Sequence, residues 1–184
     1  MYRLDAAIQE RIRPLLPGAS YRLEAEVWLP APRDAVFEFF GDPANLQLLT
    51  PPWLDFSIKT ELKAIEVGST IEYQLRVHRV PVQWVSEITV WDPPRSFVDE
   101  QITGPYHRWV HTHLFEQTEG GTSCVDSVEF AVPGGELVAR RLVLPDLKRI
   151  FEHRQRQLTK QFPGSGERLQ SAERTPTLAI WSNP

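Results

Sequence analysis

The chain reads as an α+β domain, an antiparallel sheet of about six to seven strands with its helices kept to one face. Three observations predict it. Apolar and polar residues alternate at period two almost without a break from Phe56 to Val132, the signature of half-buried strands. One alternating strand and two short helical segments precede that run, and a longer segment of helical period follows it. Turn residues such as "TGPY" and "TEGG" separate the alternating stretches at hairpin length.

Taken in order, residues 2–16 carry Leu4, Ile8, Ile12 and Leu15 on one helical stripe, stopped by Pro17 and Gly18. Residues 21–29, "YRLEAEVWL", alternate as a strand. "APRDAVFEFFGDP" reads as a short helix, with Pro32 early and Gly41 at its stop. A second short helix restarts at Asp42, which can cap it, and ends at Thr50-Pro51-Pro52. "STIEYQLRVH" (69–78) and "PVQWVSEITVW" (81–91) form a hairpin. An even turn at Arg79 and Val80 sets Val77 opposite Val82 and Leu75 opposite Trp84. Further strands follow at 96–102, 106–117 and 122–132. The closing helix runs from the "PGG" turn to about Phe162, with Leu147, Ile150, Phe151, Leu158 and Phe162 on one stripe and basic residues opposite. Pro145 kinks it or splits it from a preceding turn. Three parts follow: a helical extension (1–19), the main domain (20–162) and a tail (163–184) in which "LAIW" (178–181) can dock on its own domain or on a neighbour.

Composition narrows the function. Of 184 residues, 41% are hydrophobic and 24% charged, enough for one ordinary core. A net charge of −4 with no basic stripe argues against nucleic acid as partner. The single cysteine, Cys124, excludes an intramolecular disulfide and a multi-cysteine zinc site. No apolar run approaches the ~18–20 residues of a membrane span, and the charged N-terminus lacks a signal peptide's apolar stretch. A cytoplasmic protein is therefore expected. Glycine loops that cradle phosphate and nucleophile-elbow serines are both missing.

Several stretches, "LPAPRDAVFEFFGDPANLQLLTPPWLDFSI", "VGSTIEYQLRV" and "WDPPRSFVDEQITGPYHRWVHTHLFE" among them, together with the closing helix, resemble bacterial members of the START-like, or SRPBCC, superfamily over residues 21–162. The resemblance implies a helix-grip fold, a curved sheet around a long C-terminal helix with a deep apolar pocket between. It also implies a range of activities, from binding lipids, polyketides and other apolar molecules to cyclase or dehydratase chemistry. It places "TPPW" (50–53) near the pocket mouth.

The most informative stretch is "PYHRWVHTHLFE", residues 105–116. On a strand, His107, Trp109, His111, His113 and Phe115 share a face. An even turn at Gly104 and Pro105 adds Val98, Glu100 and Ile102 to it, with Glu100 opposite Trp109. An even turn at Glu119 and Gly120 sets Phe115 opposite Cys124 and His113 opposite Asp126, and brings Val128 and Phe130 to the same side. This face is the more apolar one and is expected to point at the long helix.

Glu100, His111, His113 and Asp126 are then the polar anchors of a cavity whose apolar lining is Tyr73, Trp84, Trp109, Phe115 and Phe130, with an apolar or amphipathic small molecule as partner. Phe56 is expected to face the same interior. The same four polar residues are the candidates for acid–base catalysis of cyclase or dehydratase type, a histidine–carboxylate pair moving the proton. No metal or other cofactor is expected; the ligands that the H-x-H spacing would supply to one are His111, His113 and Asp126. A third possibility is an interaction module using residues 1–16 or 178–181. Ligand, reaction and oligomeric state are not legible.

Overall fold

The computed structural model describes residues 15–60, 64–164 and 177–182. The helix expected at 2–16 lies outside them, apart from its last two positions.

Eight antiparallel strands form one sheet in the order β2-β3-β4-β5-β6-β7-β1-β8. They are β1 (Tyr21–Leu29), β2 (Ser57–Ile58), β3 (Thr70–Val77), β4 (Val80–Asp92), β5 (Ser96–Thr103), β6 (Arg108–Thr118), β7 (Gly121–Ala131) and β8 (Thr177–Ser182). The tail segment that the sequence left unassigned is β8, which pairs with β1 from Tyr21↔Ser182 to Glu26↔Thr177. The first strand is thus an interior one, flanked by β7 and β8. No helix among the described residues is long and apolar enough to cross a membrane.

Between β1 and β2 lie helix α1 (Arg33–Gly41) and the short α2 (Leu46–Leu49), joined by a 3-10 turn. Asp42 accepts from the Ala44 N–H at 2.9 Å, as its position before Pro43 suggested. Gly41 has a packing reason as well. A Cβ there would lie 2.9 Å from the Trp91 indole.

The β3–β4 turn holds His78 and Arg79, at φ of 50° and 70°. Two positive φ values make a tight two-residue hairpin of the kind that follows strand twist. Its position corrects the expected pairing by two residues. Val77 faces Val80, Leu75 faces Val82 and Tyr73 faces Trp84. The inward face is unchanged, since a shift of two preserves parity.

The closing helix comes in two parts. A turn, α3 (Gly135–Val138), passes through a π segment at Ala139–Val143 into α4 (Leu144–Gln161), with Pro145 in the first turn of α4. The helical run continues through the proline, since Val143 and Leu144 before it both hold helical φ and ψ. The buried stripe of α4 is Leu147, Phe151, Arg154, Gln155 and Leu158. Arg154 had been expected on the basic outer face. It turns inward, because the 147–151–154–158 spacing is that of a single helix face.

The strongly twisted sheet curls around α4. Bulges between Val85 and Ser86 and between Ile88 and Val90 bend it further. The inward side of β4 consequently reads Trp84, Ser86, Ile88 and then Trp91. One core cluster gathers Leu23, Val128, Phe130 and Phe151; the other gathers Val36, Phe37, Phe115 and Leu158. A cavity remains between them, under α4.

Candidate functional site

The cavity has a volume of about 350 Å³. Its walls come from Phe56, Tyr73, Leu75, Trp84, Trp109 and Phe151, and its mouth from Leu142 and Val143 of the π segment, among others. Across that mouth the strained hairpin meets the helix, where His78 Nε2 lies 2.9 Å from Asp146 Oδ2. Thr50 also lines the cavity, so the start of the "TPPW" stretch borders it. Trp53 lies outside, under the Arg149 guanidinium at 4.9 Å.

At the inner end the apolar walls give way to Ser86, Asp99, His111, His113 and Arg154. Two registers put them there. The β6–β7 pairing is the one the sequence predicted, with Phe115 facing Cys124 and His113 facing Asp126. The β5–β6 pairing differs by one residue: Asp99 faces His111 and Glu100 faces Val110. The odd connection of residues 101–109 causes the difference, tightened where the Gln101 amide donates to the Tyr106 carbonyl at 2.8 Å and accepts from its N–H at 3.2 Å. A one-residue slip moves every side chain to the other face.

Glu100 is therefore on the outer face, paired with Arg108 at 2.9 Å, and Asp99 takes the place expected of it. Val98 and Ile102 move out with Glu100, and Phe97 moves in to stack on His113 at 4.0 Å between ring centroids. His107 is exposed at the entry to β6.

The remaining candidates divide between cavity and core. Tyr73, Trp84, Trp109, His111 and His113 line the cavity. Phe115 packs on Phe37 and Phe40, and Phe130 stacks on Tyr21. Both lie behind the cavity wall. Asp126 lies behind the histidines, its Oδ1 3.1 Å from His111 Nε2 and 2.7 Å from His113 Nδ1. Its Oδ2 accepts from Arg154 Nε at 3.1 Å. On the cavity side, Asp99 Oδ2 is 3.2 Å from His113 Nε2 and 3.6 Å from His111 Nδ1. Ser86 donates to Asp99 Oδ1 at 3.3 Å and accepts from Trp84 Nε1 at 3.0 Å.

The electrostatics follow from burial and close charges. Burial favours the protonated form of Asp126, but Arg154 and both histidines outweigh it and hold the carboxyl well below its ordinary range. For Asp99 the same contest against burial is won by His113, His111 and Arg154, and its carboxyl is also held low. Burial pushes His111 down, helped by the charge of His113, and the carboxylates do not restore it. His113 is raised, because hydrogen bonds to Asp126 and Asp99 outweigh its burial. One proton thus favours His113 of the coupled pair. Burial raises the Tyr73 hydroxyl and the Cys124 thiol, which stay neutral.

Asp99, Ser86, Phe97 and Arg154 were missed in the sequence. For Arg154 a signal existed, its place on the apolar stripe of α4. For Asp99 none did, since the parity of a connection decides between adjacent carboxylates.

A curved sheet closed on a C-terminal helix, with a cavity between and a polar cluster at its floor, defines a helix-grip ligand-binding fold. Residues 29–159 match the family described as polyketide cyclase / dehydrase and lipid transport, and the chain belongs to that family. Solved structures similar to it include a protein of Thermus thermophilus, at 21% identity and a TM-score of 0.60 over 77% of this chain and 96% of that one. The protein CV1439 of Chromobacterium violaceum aligns at 14% and 0.62, over 78% and 99%. Major latex-like protein 151 of Panax ginseng aligns at 15% and 0.61, over 80% and 100%. These likenesses establish the fold. No curated protein matches the sequence.

Proposed function

We propose that this protein binds an amphipathic small molecule, lipid, polyketide or aromatic in character, with its apolar body along Trp84, Trp109, Tyr73 and Phe151 and its polar end at the Asp99–His111–His113 floor. The observation that carries this reading is the cavity itself, about 350 Å³ of mainly apolar wall, aliphatic and aromatic, ending on buried polar groups. Its size is within the roughly 300–1,000 Å³ of ligand pockets, and such pockets pair apolar walls with a few placed polar atoms. Membership of a family that includes lipid transport supports it. A reducing, cytoplasmic compartment suits a chain whose one thiol, Cys124, is buried.

A second reading has one specific observation behind it. His111 is held by Asp126 at 3.1 Å with its other ring edge toward Asp99 and the cavity, an arrangement suited to proton transfer. An enzyme of cyclase or dehydratase type would use that pair.

Native mass spectrometry of gently purified protein tests the binding reading. The expected result is an adduct of a few hundred daltons that departs on denaturation and is lost in Leu75→Trp, which fills the cavity from its wall. An adduct of unchanged occupancy in the folded Leu75→Trp protein would place the ligand elsewhere and refute the assignment. Asp126→Asn separates the two readings, because it retains the adduct in both and abolishes turnover only in the second.

A further inference from the structure

The floor of the cavity has a geometry that ligand binding does not require. Asp99 Oδ2, His111 Nδ1 and His113 Nε2 converge, with all three atoms within 4.8 Å of one another. Two of the separations are 3.2 and 3.6 Å. Three donors bonded at about 2.0–2.1 Å to one tetrahedral metal ion stand about 3.3–3.4 Å apart, so two edges are already at metal-ligand length.

The opposite edges of both rings are held by a single carboxylate. Asp126 Oδ1 faces His111 Nε2 and His113 Nδ1, while Arg154 holds Asp126 Oδ2. For His111 the hydrogen bond to Asp126 at 3.1 Å draws the ring proton to Nε2 and leaves the Nδ1 lone pair facing Asp99. His113 Nε2, which hydrogen-bonds Asp99 Oδ2 at 3.2 Å, is the nitrogen that a metal ion would take in place of that hydrogen bond. Asp99 is itself oriented, since the Ser86 hydroxyl occupies Oδ1 and leaves Oδ2 for the convergence point. Three possible ligand atoms then converge in a buried place. Among Asp99, Asp126 and Arg154, two carboxylates stand against one guanidinium, a balance that accommodates a further cation.

We propose that Asp99, His111 and His113 form a divalent transition-metal site at the cavity floor, with Asp126 as the carboxylate that orients both imidazoles. Two imidazoles and one carboxylate suit Zn²⁺ and its first-row neighbours rather than Mg²⁺ or Ca²⁺. The remaining coordination positions face the cavity and are open to a water or to an oxygen of whatever occupies it. This assignment changes the ligand set that the H-x-H spacing had suggested. Asp126 moves to a supporting role and Asp99 takes its place, and the proposal runs against the expectation from sequence that no metal is needed. The site does not depend on the apolar-ligand reading.

The test uses the full chain, stripped with a chelator, dialysed, and given Zn²⁺ or Co²⁺. The expected result is about one Zn²⁺ retained per chain through gel filtration, and Co²⁺ absorption in the visible with the intensity of a low-coordinate site. Asp126→Asn should weaken Zn²⁺ binding roughly 10–100-fold. Asp99→Asn, almost isosteric and so the variant most able to fold, should weaken it more. Glu100→Gln, on the outer face, should leave it unchanged, as should His78→Ala, which removes the other histidine–carboxylate pair at the cavity mouth. Failure of the folded wild-type chain to retain Zn²⁺ would overturn the proposal and leave the excess charge to a proton on His113. Retention unchanged in Asp99→Asn, or lost in His78→Ala, would equally overturn it. Because the readout is the metal, these outcomes are independent of any apolar adduct.

Discussion

At the scale of single residues, Asp126 is the group on which the buried cluster depends. It is 5% exposed and touches His111, His113 and Arg154. Removing one partner of a buried ionic set leaves the others uncompensated at a cost of about 3–5 kcal/mol. Asp126→Ala should therefore lower the unfolding free energy by about that much in urea denaturation. Glu100→Ala breaks a partly exposed pair with Arg108 and a 3.3 Å hydrogen bond from Thr89, and should cost about 1 kcal/mol. The contrast tests the register, since equal costs would put Glu100 inside. The cluster also sets a pH dependence. The Asp126 carboxyl is held below its ordinary value in the folded chain and returns to about 3.9 when unfolded. Its stabilisation is complete above that pH and is lost as pH falls through the folded value. The thermal midpoint should drop on acidification, and Asp126→Asn should flatten that acid limb. An unchanged limb would mean that other carboxylates control it.

At the scale of elements, the hairpin between β3 and β4 closes on two non-glycine residues in the left-handed region, His78 and Arg79. Such a turn normally takes Asn-Gly, and a side chain at positive φ costs of order 1 kcal/mol. His78 has a compensating contact in Asp146. Arg79 has no role at the cavity. Arg79→Gly should raise stability by about 0.5–1 kcal/mol, read as a higher thermal midpoint with ligand binding unchanged. A lower midpoint would show that the Arg79 side chain contributes more than its backbone strain removes. Helix α4 makes a related point, because its buried stripe includes an arginine. A basic side chain at an apolar position of a helical pattern is informative when a carboxylate lies on the facing strand, as Asp126 does.

At the scale of the whole molecule, β8 completes the sheet. It covers the edge of β1, and Ile180 packs on the main core. A chain ending at residue 164 should lose thermal stability and expose β1, an apolar edge with unpaired backbone groups that invites pairing between copies. Light scattering should show concentration-dependent association absent from the full chain. A monomeric truncated protein of unchanged midpoint would show that β8 is dispensable. The cavity, lined mainly by β3–β6, α4 and the segments before β2 and α4, should persist in that protein, since none of the described side chains of β8 lines it.

Local pattern sufficed for much of this protein. Period-two alternation determined β1 and β3–β7, the 3.6-residue period determined α4, and turn residues set the β6–β7 register that joins His113 to Asp126. Each of these depends on neighbours within one element or one tight turn. Two features depended on tertiary structure: the choice of Asp99 over Glu100 and the docking of residues 177–182 on β1. The physical reason is common to them. Strand alternation specifies two faces but does not say which residue of an adjacent pair a long, odd connection will turn inward. Which free edge a tail segment pairs with is likewise settled only when the sheet exists.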